Sequence, residues 1–574
     1  MKNSAQTCQF DHLVARISIA LLLLASGSGC GPSPHAPATK TPAPATPPTA
    51  VATGALQFEE VTERAGLRFT HQLADGRLSN IMESDGAGGC VLDFDGDGWM
   101  DIYLVNSGPA PVLSDASPGT PRTPNRLFRN RGDGTFEDVT ERAGVAGHGF
   151  GTTAAAADFD NDGHTDLLVV NFGSLILFRN QGNGTFTDIT AAAGLTQTNA
   201  AISATFFDAD GDGWLDLFVA NYLVFDPSIR VPEGSSATYP GPLAYPAEFN
   251  RLYRNRGDGT FEDISERAGI RIGGHRAMSV APLDYDLDGD TDLYLSNDGT
   301  ANLLLANDGK GHFKEVALQA GVAFNQFGEA AGSMGTAVGD LNGDGRPDLF
   351  VTRFGLTSLY INSPAGLFED RAGASGILNV TRDFTGWGGN FLDADNDGDL
   401  DIFCVNGNAH LLQGMTSLLF ENDGHAVFRN ASTAAGKFFQ ERINGRGCGG
   451  IDFNNDGRPD VVITTLGGPA HLLQNTAATT NHWLTLRLEG TRCNRDGFGA
   501  RVAVTAGGRT QTAEARCPTS YVFQSDPRLH FGLGPAGTAE RVEIRWPDGT
   551  TQTLTNVAAN QILRVREPGE SRWR

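Results

Sequence analysis

Aspartates at alternate positions around a glycine recur seven times in this chain, a spacing that suits a hard cation. The clearest copy runs Asp158-Phe159-Asp160-Asn161-Asp162-Gly163-His164-Thr165-Asp166, with carboxylates at positions 1, 3, 5 and 9 and glycine at 6. Oxygen side chains so spaced can curl round an ion that takes about six to eight oxygens. The carbonyl of position 7 adds a ligand, and glycine permits the sharp turn. A helix-loop-helix calcium site closes with a bidentate glutamate at position 12; here the loop closes at 9 and Leu167-Leu168-Val169-Val170 follows as a buried strand. Asp and Gly also favour plain turns, but seven copies in register single out metal binding.

The candidate ligands are Asp93, Asp95, Asp97 and Asp101; Asp158, Asp160, Asp162 and Asp166; Asp208, Asp210, Asp212 and Asp216; Asp284, Asp286, Asp288 and Asp292; Asp340, Asn342, Asp344 and Asp348; Asp393, Asp395, Asp397 and Asp401; and Asp452, Asn454, Asp456 and Asp460. Asn342 and Asn454 remove one charge from the fifth and seventh loops, which should bind more weakly. The expected cofactor is calcium, up to seven ions.

Each loop needs a scaffold. Loop starts are separated by 50 to 76 residues, a period that suits propeller blades. A run of small residues precedes each loop and a bulkier run follows it. Next come a third strand ending in motifs such as Leu127-Phe128-Arg129-Asn130, a Gly-Asp-Gly-Thr hairpin, and a fourth strand such as Phe136-Glu137-Asp138-Val139-Thr140. The seventh unit lacks a fourth strand, and an orphan copy, Phe58 to Gly66, stands at the other end of the chain. The expected fold is all-β, a seven-bladed β-propeller over 57–480 with four strands per blade, closed by the N-terminal strand. From 481 to 568 alternating strands predict a small β-sandwich or barrel, followed by a short tail, 569–574.

Lys2, Arg16, an apolar run from Ile17 to Ala25 and Ser26-Gly27-Ser28-Gly29-Cys30 read as an export signal over 1–30. Small residues leading to Cys30 resemble a bacterial lipoprotein processing site, although Gly27 stands where leucine is usual. Lipidation of Cys30 would make the protein an outer-membrane or cell-surface lipoprotein; simple cleavage would make it secreted. Residues 31–56 form a Pro/Ala/Thr-rich tether. Cys493 and Cys517 could bridge outside the cytoplasm, whereas Cys90, Cys404 and Cys448 sit in strand-like runs as small hydrophobes.

The net charge is −24, and seven calcium ions would bring it to about −10, which argues against nucleic acid or an anionic membrane as partner. Contact with a membrane is expected only through the N-terminal lipid. Long loops from Ser107 to Asn125 and from Tyr222 to Asn250 lie opposite the metal loops and are candidate contacts for an extracellular protein or glycan. The sequence contains no metalloprotease, nucleophile-elbow or phosphate-loop motif. His148, His275, Arg276, Arg382, Asp383, Glu441, Arg442 and Arg446 enter the first strands, where hydrogen bonding between blades is the expected role.

The loops and their Phe-x-Asp-Val-Thr partners resemble the FG-GAP/VCBS repeats of integrin α-subunit propellers. Asn494 to Arg501, Gln524 to Gly534 and Val542 to Gly549 resemble an ASPIC/UnbV domain. Together they are similar to the cartilage acidic protein family. The resemblance implies extracellular calcium binding and adhesion rather than a reaction. The alternative reading is a secreted enzyme or biosynthetic accessory acting on polysaccharide or a small molecule.

Overall fold

The computed structural model describes residues 56–73, 76–108, 110, 112–113, 123–196, 200–233 and 237–573. The expected signal segment with Cys30, the tether up to residue 55 and parts of the loop from Ser107 to Asn125 lie outside the described residues.

Among the described residues, seven antiparallel sheets each carry four repeat strands, as expected for propeller blades. In the second, Gly151–Ala157, Asp166–Asn171, Ser174–Asn180 and Phe186–Asp188 pair in sequence order. The third to sixth sheets repeat this order, and in every sheet the acidic loop joins the first two strands. In the seventh, Gly445–Ile451, Asp460–Thr465 and His471–Asn475 are followed by Phe58–Glu60, with Phe58 opposite Asn475. The orphan strand is shorter than its motif. Thr62–Ala65 is a helical turn ended by Gly66 at φ 74°, and Thr140–Ala143 repeats it before Gly144. Left-handed glycine caps the turn where other residues would be strained.

Two further sheets belong to the C-terminal region. One holds Leu529–Gly534, His482–Glu489 and Gln561–Arg566; the other holds Arg509–Glu514, Arg501–Ala506, Thr538–Arg545 and Thr551–Ala558. Leu484, Leu486, Val502, Val504, Phe531, Val542, Ile544 and Trp546 from both sheets share one core, the arrangement of a small sandwich.

This region does not stand apart from the repeats. Phe523–Gln524 pairs in parallel with Gly89–Leu92, adding a fifth strand to the first sheet. Around that strand, residues 516–526 bond to the first strands of other sheets. Thr153 Oγ1 donates to Val522 O at 2.7 Å, Ser520 Oγ to Gly389 O at 2.6 Å, and Gly450 N to Ser525 Oγ at 3.1 Å. Thr519 bonds Val280 O, and Arg516 bonds Val338 O. Small residues in and just before the first strands make room for this segment: a Cβ at Gly449 would sit 2.6 Å from the Phe523 ring, and one at Gly88 would sit 2.3 Å from Val522 O.

The expected Cys493–Cys517 bridge does not form. All five described cysteines are free and buried. Cys493 belongs to the C-terminal core with its sulfur beside Glu567, whereas Cys517 packs in the core of the second and third sheets beside Gln524. The inserted segment carries the two thiols into different cores.

Candidate metal centres

Local hydrogen bonds build each acidic loop identically. The position 6 glycine N–H donates to Oδ2 of the position 1 aspartate in all seven, from 2.7 Å (Gly163 to Asp158) to 3.1 Å (Gly98 to Asp93, Gly289 to Asp284). That bond needs position 6 in the left-handed region, and Gly163 stands at φ 91° and Gly289 at φ 103°. The position 7 N–H donates to Oδ1 of the position 5 aspartate, as from His164 to Asp162 at 3.0 Å. The position 9 aspartate reaches across the sheet: Asp101 Oδ1 accepts from Asn130 N and Asp166 Oδ1 from Asn180 N, both at 2.7 Å.

These bonds turn several carboxylate oxygens inward without partners. Asp93 Oδ1, Asp160 Oδ1, Asp166 Oδ2, Asp208 Oδ1, Asp210 Oδ1 and Asp284 Oδ1 are buried and accept no hydrogen bond. In five loops, one oxygen from each of three aspartates lies within 4.8 Å of the others: Asp93, Asp95 and Asp101; Asp158, Asp160 and Asp166; Asp208, Asp210 and Asp216; Asp284, Asp286 and Asp292; and Asp393, Asp395 and Asp397. The fifth and seventh loops place Asn342 and Asn454 in the corresponding position. Buried, unbonded, converging oxygens fit a hard cation and little else.

The electrostatics agree. Burial pushes Asp208 up to about 7 and Asp292 to about 9, against backbone bonds that favour the charged form. Burial and the neighbouring Glu514, Asp288 and Asp286 raise Asp284 to about 7. Asp101, Asp166, Asp216, Asp393, Asp401 and Asp460 are pushed well above the carboxylate range, burial first. Carboxylates held apart from water and beside one another call for a cation.

Two features were not legible beforehand. The asparagine ending each third strand links its sheet to the preceding one. Asn180 Nδ2 donates to Phe94 O at 2.7 Å, Asn255 to Phe159 O at 2.8 Å, Asn307 to Ala209 O at 2.9 Å and Asn422 to Leu341 O at 3.0 Å. Asn362, Asn475 and Asn130 donate to Tyr285 O, Ala394 O and Phe453 O, each at 2.7 Å. The acceptor is always position 2 of the neighbouring acidic loop, so the signal was the recurring Asn itself. Secondly, the C-terminal region lies on the metal loops. Arg487 Nη1 is 2.6 Å from Asp93 Oδ2. Asp496 accepts from Asp158 N at 2.8 Å and Glu514 from Asp284 N at 3.1 Å. Arg528 donates to Asp452 O at 3.2 Å.

Among the charged groups expected at the first strands, Arg446 is fully buried. It lies 3.9 Å from the Trp387 ring and donates to Ser84 O at 2.8 Å and Asn408 O at 3.1 Å. Arg276 bonds Tyr245 O at 2.5 Å. Both tie loops together.

An FG-GAP-like repeat model matches residues 93–169, 158–219, 242–295, 284–351, 340–404 and 393–463, and an ASPIC and UnbV model matches 490–572. Cartilage acidic protein 1 of Homo sapiens is 27% identical over 342 residues, covering 54% of this chain and 47% of that protein. The Xenopus tropicalis protein of the same name is 24% identical over 339 residues, covering 56% and 42%. The chain thus spans about half the length of the curated relatives it matches. Among solved structures, an Agrocybe aegerita lectin described as recognising non-reducing terminal N-acetylglucosamine aligns at 19% identity and a TM-score of 0.38, over 62% of this chain and 82% of that one. The chain belongs to the family of proteins that carry FG-GAP-like repeats followed by an ASPIC and UnbV domain, with distant homology to cartilage acidic protein 1.

Proposed function

We propose that the protein is an exported, surface-tethered, calcium-binding propeller of seven blades, closed by its N-terminal strand, that binds an extracellular protein or glycan through the face opposite its metal loops. Closure is supported by Phe58–Glu60 beside His471–Asn475 and by the asparagine links, of which Asn130 joins the first sheet to the seventh. Calcium is supported by the unbonded inward oxygens.

One observation carries the choice of face. The C-terminal region occupies the metal-loop side through Arg487, Asp496, Glu514 and Arg528. Loops at the other end expose large apolar side chains: Leu243 (63%), Phe327 (58%), Phe354 (55%), Leu411 and Leu412. The loop from Tyr222 to Asn250 reaches across this side to the sixth sheet, where Thr238 Oγ1 donates to His410 O at 3.2 Å and Tyr239 bonds Ala409 O. Exposed apolar side chains on ordered loops mark contact surfaces.

The test is a binding screen of the purified protein, with calcium present, against glycan arrays and extracellular matrix proteins. A Phe354→Asp, Leu411→Asp double variant should lose the captured ligand while keeping its melting temperature. Capture that survives this variant would place the contact elsewhere.

A further inference from the structure

The identity of the residue before each linking asparagine divides the seven sheets. In the first three sheets it is arginine. Arg129 places Nε 2.5 Å from Asp95 Oδ2 and Nη2 2.9 Å from Asp97 Oδ2. Arg179 lies 2.6 Å from Asp160 Oδ2 and 3.3 Å from Asp162 Oδ2, and Arg254 lies 2.6 Å from Asp210 Oδ2 and 2.9 Å from Asp212 Oδ2. The same position in the other four sheets holds Ala306, Ile361, Glu421 and Gln474.

In the second and third sheets the arginine leaves one oxygen of the position 3 aspartate unbonded. It takes the outer oxygens of positions 3 and 5, while Asp160 Oδ1 and Asp210 Oδ1 stay inward and unbonded. One position 3 carboxylate therefore serves a guanidinium outside and leaves an oxygen for a cation inside. A planar guanidinium spanning two carboxylates fixes their orientation as well as offsetting their charge.

We propose that Arg129, Arg179 and Arg254 are resident counter-ions that hold the first three loops in binding geometry without metal, so that the fourth and sixth loops depend most on the ion. The inference rests on the calcium reading above. In the fourth loop Asp284, Asp286 and Asp292 converge with only Ala306 at the arginine's position. In the sixth, Asp393, Asp395 and Asp397 converge and the arginine's position holds a carboxylate, Glu421, itself paired with Arg429. Arginines of the C-terminal region meet these two loops at Gly289 and Asp399, outside the side-chain ligand positions. Without an ion, their carboxylates repel one another with no guanidinium spanning positions 3 and 5. The fifth and seventh loops, with asparagine at position 3, fall between the two classes.

Hydrogen exchange read by mass spectrometry, on the whole chain with calcium and with excess chelator, tests this locally. Chelation should raise exchange roughly tenfold or more in peptides covering 284–292 and 393–401, and under about twofold in those covering 93–101, 158–166 and 208–216. Arg179→Ala should move the second loop alone into the sensitive class. Ala306→Arg should move the fourth out of it, and decides the matter if Arg179→Ala fails to fold. Equal loss of protection in all seven loops, or no effect of either substitution, would overturn the inference and leave calcium binding intact. Absence of bound calcium on metal analysis would overturn the calcium reading and the inference with it.

Discussion

The side-chain amide of Gln524 exchanges two hydrogen bonds with the backbone of Ala156, accepting from its N–H at 2.7 Å and donating to its carbonyl at 3.0 Å. Gln524 acts as one more peptide unit on the second sheet while its own backbone pairs with the first. It is 1% exposed, so its loss leaves two buried backbone groups unpaired. Gln524→Ala should lower the unfolding free energy by about 2–4 kcal/mol in urea titration of the whole chain. An unchanged midpoint would mean that the inserted segment is not an integral part of the repeat sheets.

The acidic loops were legible because their chemistry is local: Asp158, Gly163 and Asp166 bond to one another or to a strand shortly downstream. The displaced strand at Phe58 was legible because its motif recurs. The insertion of 516–526 was not, since its partners at Gly89, Ala156, Gly389 and Gly450 lie far upstream and their glycines read equally well as crowding among strands. Pairing Cys493 with Cys517 failed for the same reason, because proximity in sequence says nothing about which core receives each thiol. Position 4 of the loops was also missed. It is left-handed throughout, and Leu287 adopts φ 65° there, a conformation that glycine or asparagine takes more readily.

Deleting residues 57–66 should expose the backbone edge of His471–Asn475, which Phe58–Glu60 covers. Open strand edges recruit other chains. The truncated protein should aggregate or melt in two steps, as followed by light scattering during a thermal ramp. A monodisperse product with the parent melting temperature would sink the closure model.

Acid should rescue the chelated protein. Asp208, Asp284 and Asp452 are raised to about 7 and Asp348 to about 8, chiefly by burial, against about 3.9 in an unfolded chain. Between these values the folded state binds more protons than the unfolded one, so stability falls as pH rises. In chelator, the melting temperature should therefore be higher near pH 5 than near pH 8. With calcium the order should reverse, because the ion needs the carboxylates ionised. A chelated protein whose melting temperature climbs from pH 5 to 8 would contradict the assignment of these groups.

Cys30→Ala should release the protein from the membrane fraction if Cys30 carries the lipid. Mass spectrometry of the mature N-terminus decides the matter. An unmodified Cys30, or cleavage elsewhere, would make the protein secreted and remove the tether from the proposed function.

Calcium is expected to hold the repeat sheets together rather than take part in a reaction. The inward oxygens of Asp93, Asp208 and Asp284 have no protein partner, and the surrounding carboxylates repel one another unless a cation intervenes. A site with Kd about 10⁻⁴ M in calcium near 1 mM contributes roughly 1.4 kcal/mol by mass action, hence about 10 kcal/mol over seven independent sites. That is comparable to the ~5–15 kcal/mol net stability of an ordinary domain. Chelation should lower the melting temperature sharply, and metal analysis should find several calcium ions per chain, at most about seven. Asp393→Ala, in a loop of converging carboxylates, should cost more than Asp340→Ala, beside Asn342. A chelated protein that binds no calcium and melts unchanged would refute the metal assignment for every loop at once.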